Sequence, residues 1–147
     1  MGLFDFSKPK PKEQLDYIDG IGELKYSQNY GEYAYRGNVY SKSLGYPIKI
    51  DLPTTNGNVT DYQKSYFKRL EENFNRILEE ASNTPNSKID IANCIIIGLL
   101  IPDKDNNSHD IDTEIVASKK RNYFRFYGRP IYSIIMKELT IVEIVHI

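Results

Sequence analysis

Residues 60–83, TDYQKSYFKRLEENFNRILEEASN, decide the fold. Tyr66, Phe67, Leu70, Phe74, Ile77, Leu78 and Ala81 recur at three- and four-residue spacing, which places them along one side of an α-helix. Lys64, Lys68, Glu71, Glu72, Asn75, Arg76, Glu79 and Glu80 fall on the other side. Thr60 followed by Gln63 has the form of a capping box, in which each side chain satisfies a backbone N–H that the first turn leaves free. Lys68–Glu72, Glu72–Arg76 and Arg76–Glu80 set opposite charges four residues apart, each pair worth only about 0.2–0.5 kcal/mol. Ser82-Asn83-Thr84-Pro85-Asn86 ends the helix, because proline cannot continue its hydrogen-bond ladder. A helix with one apolar stripe needs a surface to cover, and the apolar residues elsewhere in the chain alternate as strands do.

Upstream, three short strands are predicted at residues 22–26, 33–40 and 46–52. The third is the clearest: Ile48, Ile50 and Leu52 face one way, Lys49 and Asp51 the other, as in a sheet with one buried and one wet side. Asn29-Tyr30-Gly31 and Leu44-Gly45 supply turns between them. Downstream, residues 94–101 form an almost unbroken apolar run, expected as a central strand. Residues 111–118, 122–127, 130–137 and 140–147 follow as strands. The last of these is too apolar to hang in water and is expected paired inside the sheet. The fold class is therefore α+β: a single antiparallel β-sheet of about six to eight strands with one long amphipathic helix packed on one face. Residues 13–147 form one domain. Residues 1–12, with the apolar tip Leu3, Phe4, Phe6 and the alternating Lys8-Pro9-Lys10-Pro11-Lys12, form a flexible tip and tether.

Composition narrows the class. Forty per cent hydrophobic and 27% charged residues are ordinary for a globular protein. The lone Cys94 excludes an internal disulfide and points to a reducing compartment. No apolar run reaches the roughly 18 residues a spanning helix needs. The N-terminus lacks the core of a signal peptide and carries Phe6 where myristoylation requires Ser or Thr. A cytoplasmic protein is expected. The net charge of −1 hides a polarity: residues 83–118 sum to −4 and residues 119–147 to +4. Neighbouring segments of opposite sign can pair across a hairpin.

Gly22-Glu23-Leu24-Lys25-Tyr26, a Tyr- and Gly-containing second strand, Ile48-Lys49-Ile50, and Gln63 opening a helix with Phe67, Leu70, Phe74 and Ile77-Leu78 together form a pattern. It resembles a group of small bacterial proteins of unassigned function, regarded as immunity proteins of polymorphic toxin systems. Their Met-Gly-Leu-Phe-like opening and lysine-rich spacer are similar to residues 1–12. The likeness covers residues 1–82, and residues 94–147 only in strand pattern. It implies a cytoplasmic, non-catalytic protein that sequesters a toxin, and it carries over no functional residue. The long loop from Asp103 to Asp112 departs from the pattern.

The chemistry-bearing residues point away from catalysis. His109 and His146 have no zinc-site spacing, and neither a nucleophile elbow nor a phosphate-binding glycine loop is present. Cys94, followed by Ile95-Ile96-Ile97, reads as a packed thiol. Residues 103–114 place oxygen-bearing side chains at Asp103, Asp105, Asn107 and Glu114, positions one, three, five and twelve of a calcium loop. Ser108 replaces the turn glycine, Asp110 replaces an apolar residue, and the flanks read as strands, so neither metal nor cofactor is expected, and an enzyme or calcium-binding protein using the Asp103–Glu114 loop is the least favoured reading. The strongest candidate surface is the basic aromatic stretch after Lys119-Lys120-Arg121. On a strand, Tyr123, Arg125 and Tyr127, with Arg129 beyond, point one way while Phe124 and Phe126 point into the core. Tyr and Arg dominate interface hot spots, so a protein partner is expected here. The alternative is a sheet that stacks nucleic-acid bases on the same row, disfavoured by the near-zero net charge.

Overall fold

The computed structural model describes residues 15–29, 32–55, 57–85, 94–104, 111–119 and 130–146. The chain runs through β1 (Leu15–Ile18), β2 (Gly22–Asn29), β3 (Glu32–Ser41), β4 (Tyr46–Pro53), α1 (Asp61–Asn83), β5 (Cys94–Leu100), β6 (Thr113–Lys119), β7 (Pro130–Lys137) and β8 (Thr140–His146). The strands form one open sheet in sequence order from β1 to β8, an α+β architecture.

Six of the seven neighbouring pairs are antiparallel, and β4 with β5 is parallel. That pair corrects the expectation of a wholly antiparallel sheet. A strand can lie parallel to its predecessor only after a crossover, and α1 supplies one: 23 residues carry the chain back about 34 Å. Beyond the paired residues, the Ile101 N–H donates to the Asp51 carbonyl at 2.9 Å and the Asp103 N–H to the Pro53 carbonyl at 3.2 Å, so the parallel edge is stitched past β5.

Two side-chain rows of opposite character cross the sheet. Gly37, Ile50, Leu99, Ile115, Ile134 and Ile144 are successive partners across six strands. Ile50, Leu99, Ile115 and Ile134 are buried in one cluster with Tyr66, Phe67, Leu70, Phe74, Ile77, Leu78 and Ala81, the stripe read from the helix sequence. Gly37 lacks a side chain where Leu24 fills the space: a Cβ there would stand 3.1 Å from Leu24 Cδ2. The adjacent positions make the second row, Lys25, Arg36, Asp51, Leu100, Glu114, Ile135 and Glu143. Strand alternation sends it to the sheet's other side.

The ends of α1 follow its sequence. Thr60 stands at φ −80° and ψ 158°, its hydroxyl accepts from the Gln63 N–H at 3.2 Å, and the Gln63 carboxamide oxygen accepts from the Thr60 N–H at 2.9 Å. Of the three charge pairs expected along the helix, Arg76–Glu80 closes at 2.6 Å.

Two strand placements differ from expectation. β1 lies outside the strands that the sequence predicts; its LDYI carries little alternation, and pairing with β2 rather than its own pattern makes it a strand. β8 is paired with β7 but is the outermost strand, with Val142 54% and Val145 37% exposed, so it is not inside the sheet. Glu143 pairs with Ile135 and Ile141 with Met136, which leaves Val142 as an extra, bulged residue. A bulge bends an edge away from further pairing and so offsets the exposure of an apolar strand. The strand expected over residues 122–127 and the tip and tether of residues 1–12 lie outside the described residues.

Candidate functional site

Four members of the second row, Arg36, Asp51, Leu100 and Glu114, line a cleft of about 620 Å³ with their neighbours, on the side of the sheet away from Ile115. Its middle is a missing side chain. Asn38, Lys49, Gly98, Val116, Ser133 and Val145 are successive partners, so Gly98 sits between Lys49 and Val116 and brings no side chain of its own to the cleft. A Cβ on Gly98 would meet only ordinary contacts, the nearest being the Lys49 carbonyl oxygen at 3.5 Å. A bulge between Ile96 and Gly98 turns Ile97 into the cleft wall, and Leu100 and Val116, both half-buried, continue the apolar floor.

Charged groups stand on two walls. On the β3–β4 side, Arg36 Nε donates to Asp51 Oδ2 at 3.2 Å and its Nη1 donates to Ser27 Oγ at 3.2 Å. That pair is about a third exposed, so it contributes on the order of 0.2–1 kcal/mol and can be rearranged cheaply. Lys49 is exposed and its ammonium makes neither a hydrogen bond nor an ion pair among the described residues. On the β6 side, Glu114 Oε1 accepts from the Ser133 hydroxyl at 2.5 Å. Strand spacing sets the two walls about 10 Å apart across Gly98.

The sequence candidates fall elsewhere. Tyr123, Arg125, Tyr127 and Arg129 lie outside the described residues, as do Asp105, Asn107, His109 and Asp110. The described carboxylates of the acidic loop hold the fold. Asp103 is buried, its Oδ2 accepting from the Thr55 N–H at 2.9 Å and its Oδ1 from the Thr55 hydroxyl at 3.3 Å. Asp112 accepts from the Tyr62 hydroxyl at 2.6 Å and from the Glu138 N–H at 2.5 Å. Burial and the Asp112 carboxylate both push the Tyr62 pKa well up, so this hydroxyl stays a donor. Among the described residues, nowhere do three His, Cys, Asp or Glu side chains gather closely enough to hold a metal. Glu114, the last member of that loop pattern, belongs instead to the cleft. Cys94 is a buried thiol, and His146 is exposed on β8 with its ring edge-on to Tyr132 at 5.2 Å.

Sequence reasoning missed the cleft because its residues come from four strands. One local signal pointed to it: Gly98 interrupts the apolar run of β5, and glycine within a strand marks a bulge or a close approach. Neither a protein-family model, nor a curated protein, nor a solved structure matches this chain. No helix among the described residues is long and apolar enough to cross a membrane.

Proposed function

We propose that the chain is a non-catalytic protein-binding domain: α1 packs on one face of the sheet, and the other face, with the cleft over Gly98, receives a protein partner. The observation that carries this reading is an apolar floor of Ile97, Leu100 and Val116 left half-exposed in the middle of a sheet face. Leaving such a floor in water forfeits the gain of burying it, and a partner that covers it recovers that gain. The charged groups around it suit recognition rather than bond-making, because Arg36 is held by Asp51 and Glu114 by Ser133. In the reading that the sequence resemblance supplies, the partner is a toxin domain, and the protein is a cytoplasmic immunity protein that blocks it by contact.

Co-expression with the product of an adjacent toxin gene tests this. A stoichiometric complex and restored growth are expected, both lost when Val116→Arg fills the cleft with charge. Absence of a toxin gene beside this one, or restored growth that Val116→Arg leaves untouched, overturns the reading.

A further inference from the structure

Resting on the cleft as the binding face, we infer that its partner presents a large apolar side chain over Gly98 with an acidic residue beside it, directed at Lys49. The cleft is concave and Gly98 adds no side chain to its floor, so it suits a protruding group better than a flat surface. Its floor, formed by Ile97, Leu100 and Val116, selects an apolar group. The charges fix what lies beside that group. Arg36 and Asp51 neutralise each other at 3.2 Å, while the Lys49 ammonium has no partner among the described residues. A carboxylate on the β4 side therefore gains a charge-assisted contact at the rim of an apolar site, where solvent screening is reduced. Glu114, next to Val116 on the same face of β6 and on the wall opposite Lys49, repels a second acid and so sets the direction in which the segment lies. The charges of the cleft, Arg36 and Lys49 against Asp51 and Glu114, cancel, which disfavours a polyphosphate backbone.

A phage-displayed random dodecapeptide library panned on the folded full-length protein is the probe. Peptides pairing a large apolar residue with Asp or Glu are expected to dominate. Synthetic copies should bind the wild type and lose roughly thirtyfold in affinity, the scale of a hot-spot residue, against Gly98→Phe and against Lys49→Glu. Replacing the peptide's acidic residue by lysine should restore binding to Lys49→Glu. Lys49 is exposed, so that variant carries the test even where Gly98→Phe fails to fold. Enrichment without an acidic preference, failed charge-swap rescue, or no enrichment overturns the inferred partner while leaving the face to the toxin test. Peptide binding indifferent to both variants overturns the partner and the binding face together. A labelled oligothymidylate that binds the wild type and not Lys49→Glu overturns the protein assignment in favour of nucleic acid.

Discussion

Glu138 and Leu139 both hold positive φ, 49° and 58°, in the two-residue turn between β7 and β8. A mirror-image turn of this kind favours Asn, Asp or Gly, since side chains elsewhere crowd the following carbonyl there. The neighbours compensate: Asp112 accepts the Glu138 N–H, the Tyr66 hydroxyl accepts the Leu139 N–H at 3.2 Å, and Leu139 packs against the core. Glu138→Asn keeps those bonds and relieves one residue's strain, so it should raise stability by about 1 kcal/mol. Urea unfolding should show a higher midpoint at unchanged slope. Tyr46 offers a pH readout at the same scale. Its hydroxyl donates to the Ile96 carbonyl at 2.7 Å, and burial pushes its pKa from 10.0 up to about 12. The folded value lies above the unfolded one, so the stability it contributes is full below pH 10.0 and is lost as pH climbs towards about 12. Tyr46→Phe should flatten that alkaline decline by one tyrosine's share, seen in unfolding curves collected from pH 9 upward.

At the scale of elements, α1 is fastened to the sheet by one buried polar side chain. Gln63 is fully buried and its amide donates to the Pro53 carbonyl and to the Ile101 carbonyl, each at 2.8 Å. Those carbonyls end β4 and follow β5, so a single carboxamide ties the helix start to the parallel pair that the helix creates. The same residue closes the capping box with Thr60. About two turns further along the helix, Glu71 accepts from the Ser43 N–H at 3.1 Å and its hydroxyl at 2.7 Å, which holds the β3–β4 turn. Losing a cap alone costs about 1 kcal/mol, whereas a buried carbonyl left without a donor costs about 1–3 kcal/mol. Gln63→Leu therefore strands the Ile101 carbonyl, leaves the Pro53 carbonyl with the Asp103 N–H alone, and should destabilise by more than Thr60→Ala. Equal losses in chemical denaturation would mean that the cap is all Gln63 contributes.

For the whole molecule, what the sequence disclosed was local and what it withheld was not. The stripe from Tyr66 to Ala81 and the alternation of Ile48, Ile50 and Leu52 were legible because helix and strand periods act within a few residues. The parallel β4–β5 pair, the place of β8 at the rim and the four-strand cleft depend on strand order, to which periodicity is blind. Hydrophobicity told that β8 must pair; it carried nothing about which neighbour, or whether a second would follow. Neighbouring residues on β6 test the resulting assignment of the two sides. Ile115 is fully buried beside Leu99 and Ile134, while Val116, the next residue, lines the cleft and is half-buried. Ile115→Ala removes methyl groups from a packed cluster and should cost about 2–5 kcal/mol. Val116→Ala removes groups that water already reaches on one side, so its cost should stay below about 1 kcal/mol. If the cleft is the binding face proposed above, the same change should weaken the complex, because the valine would be covered only when bound. A loss at Val116 as large as that at Ile115 in the isolated protein would show that this side of the sheet is already occupied, and the cleft would have no surface left to offer.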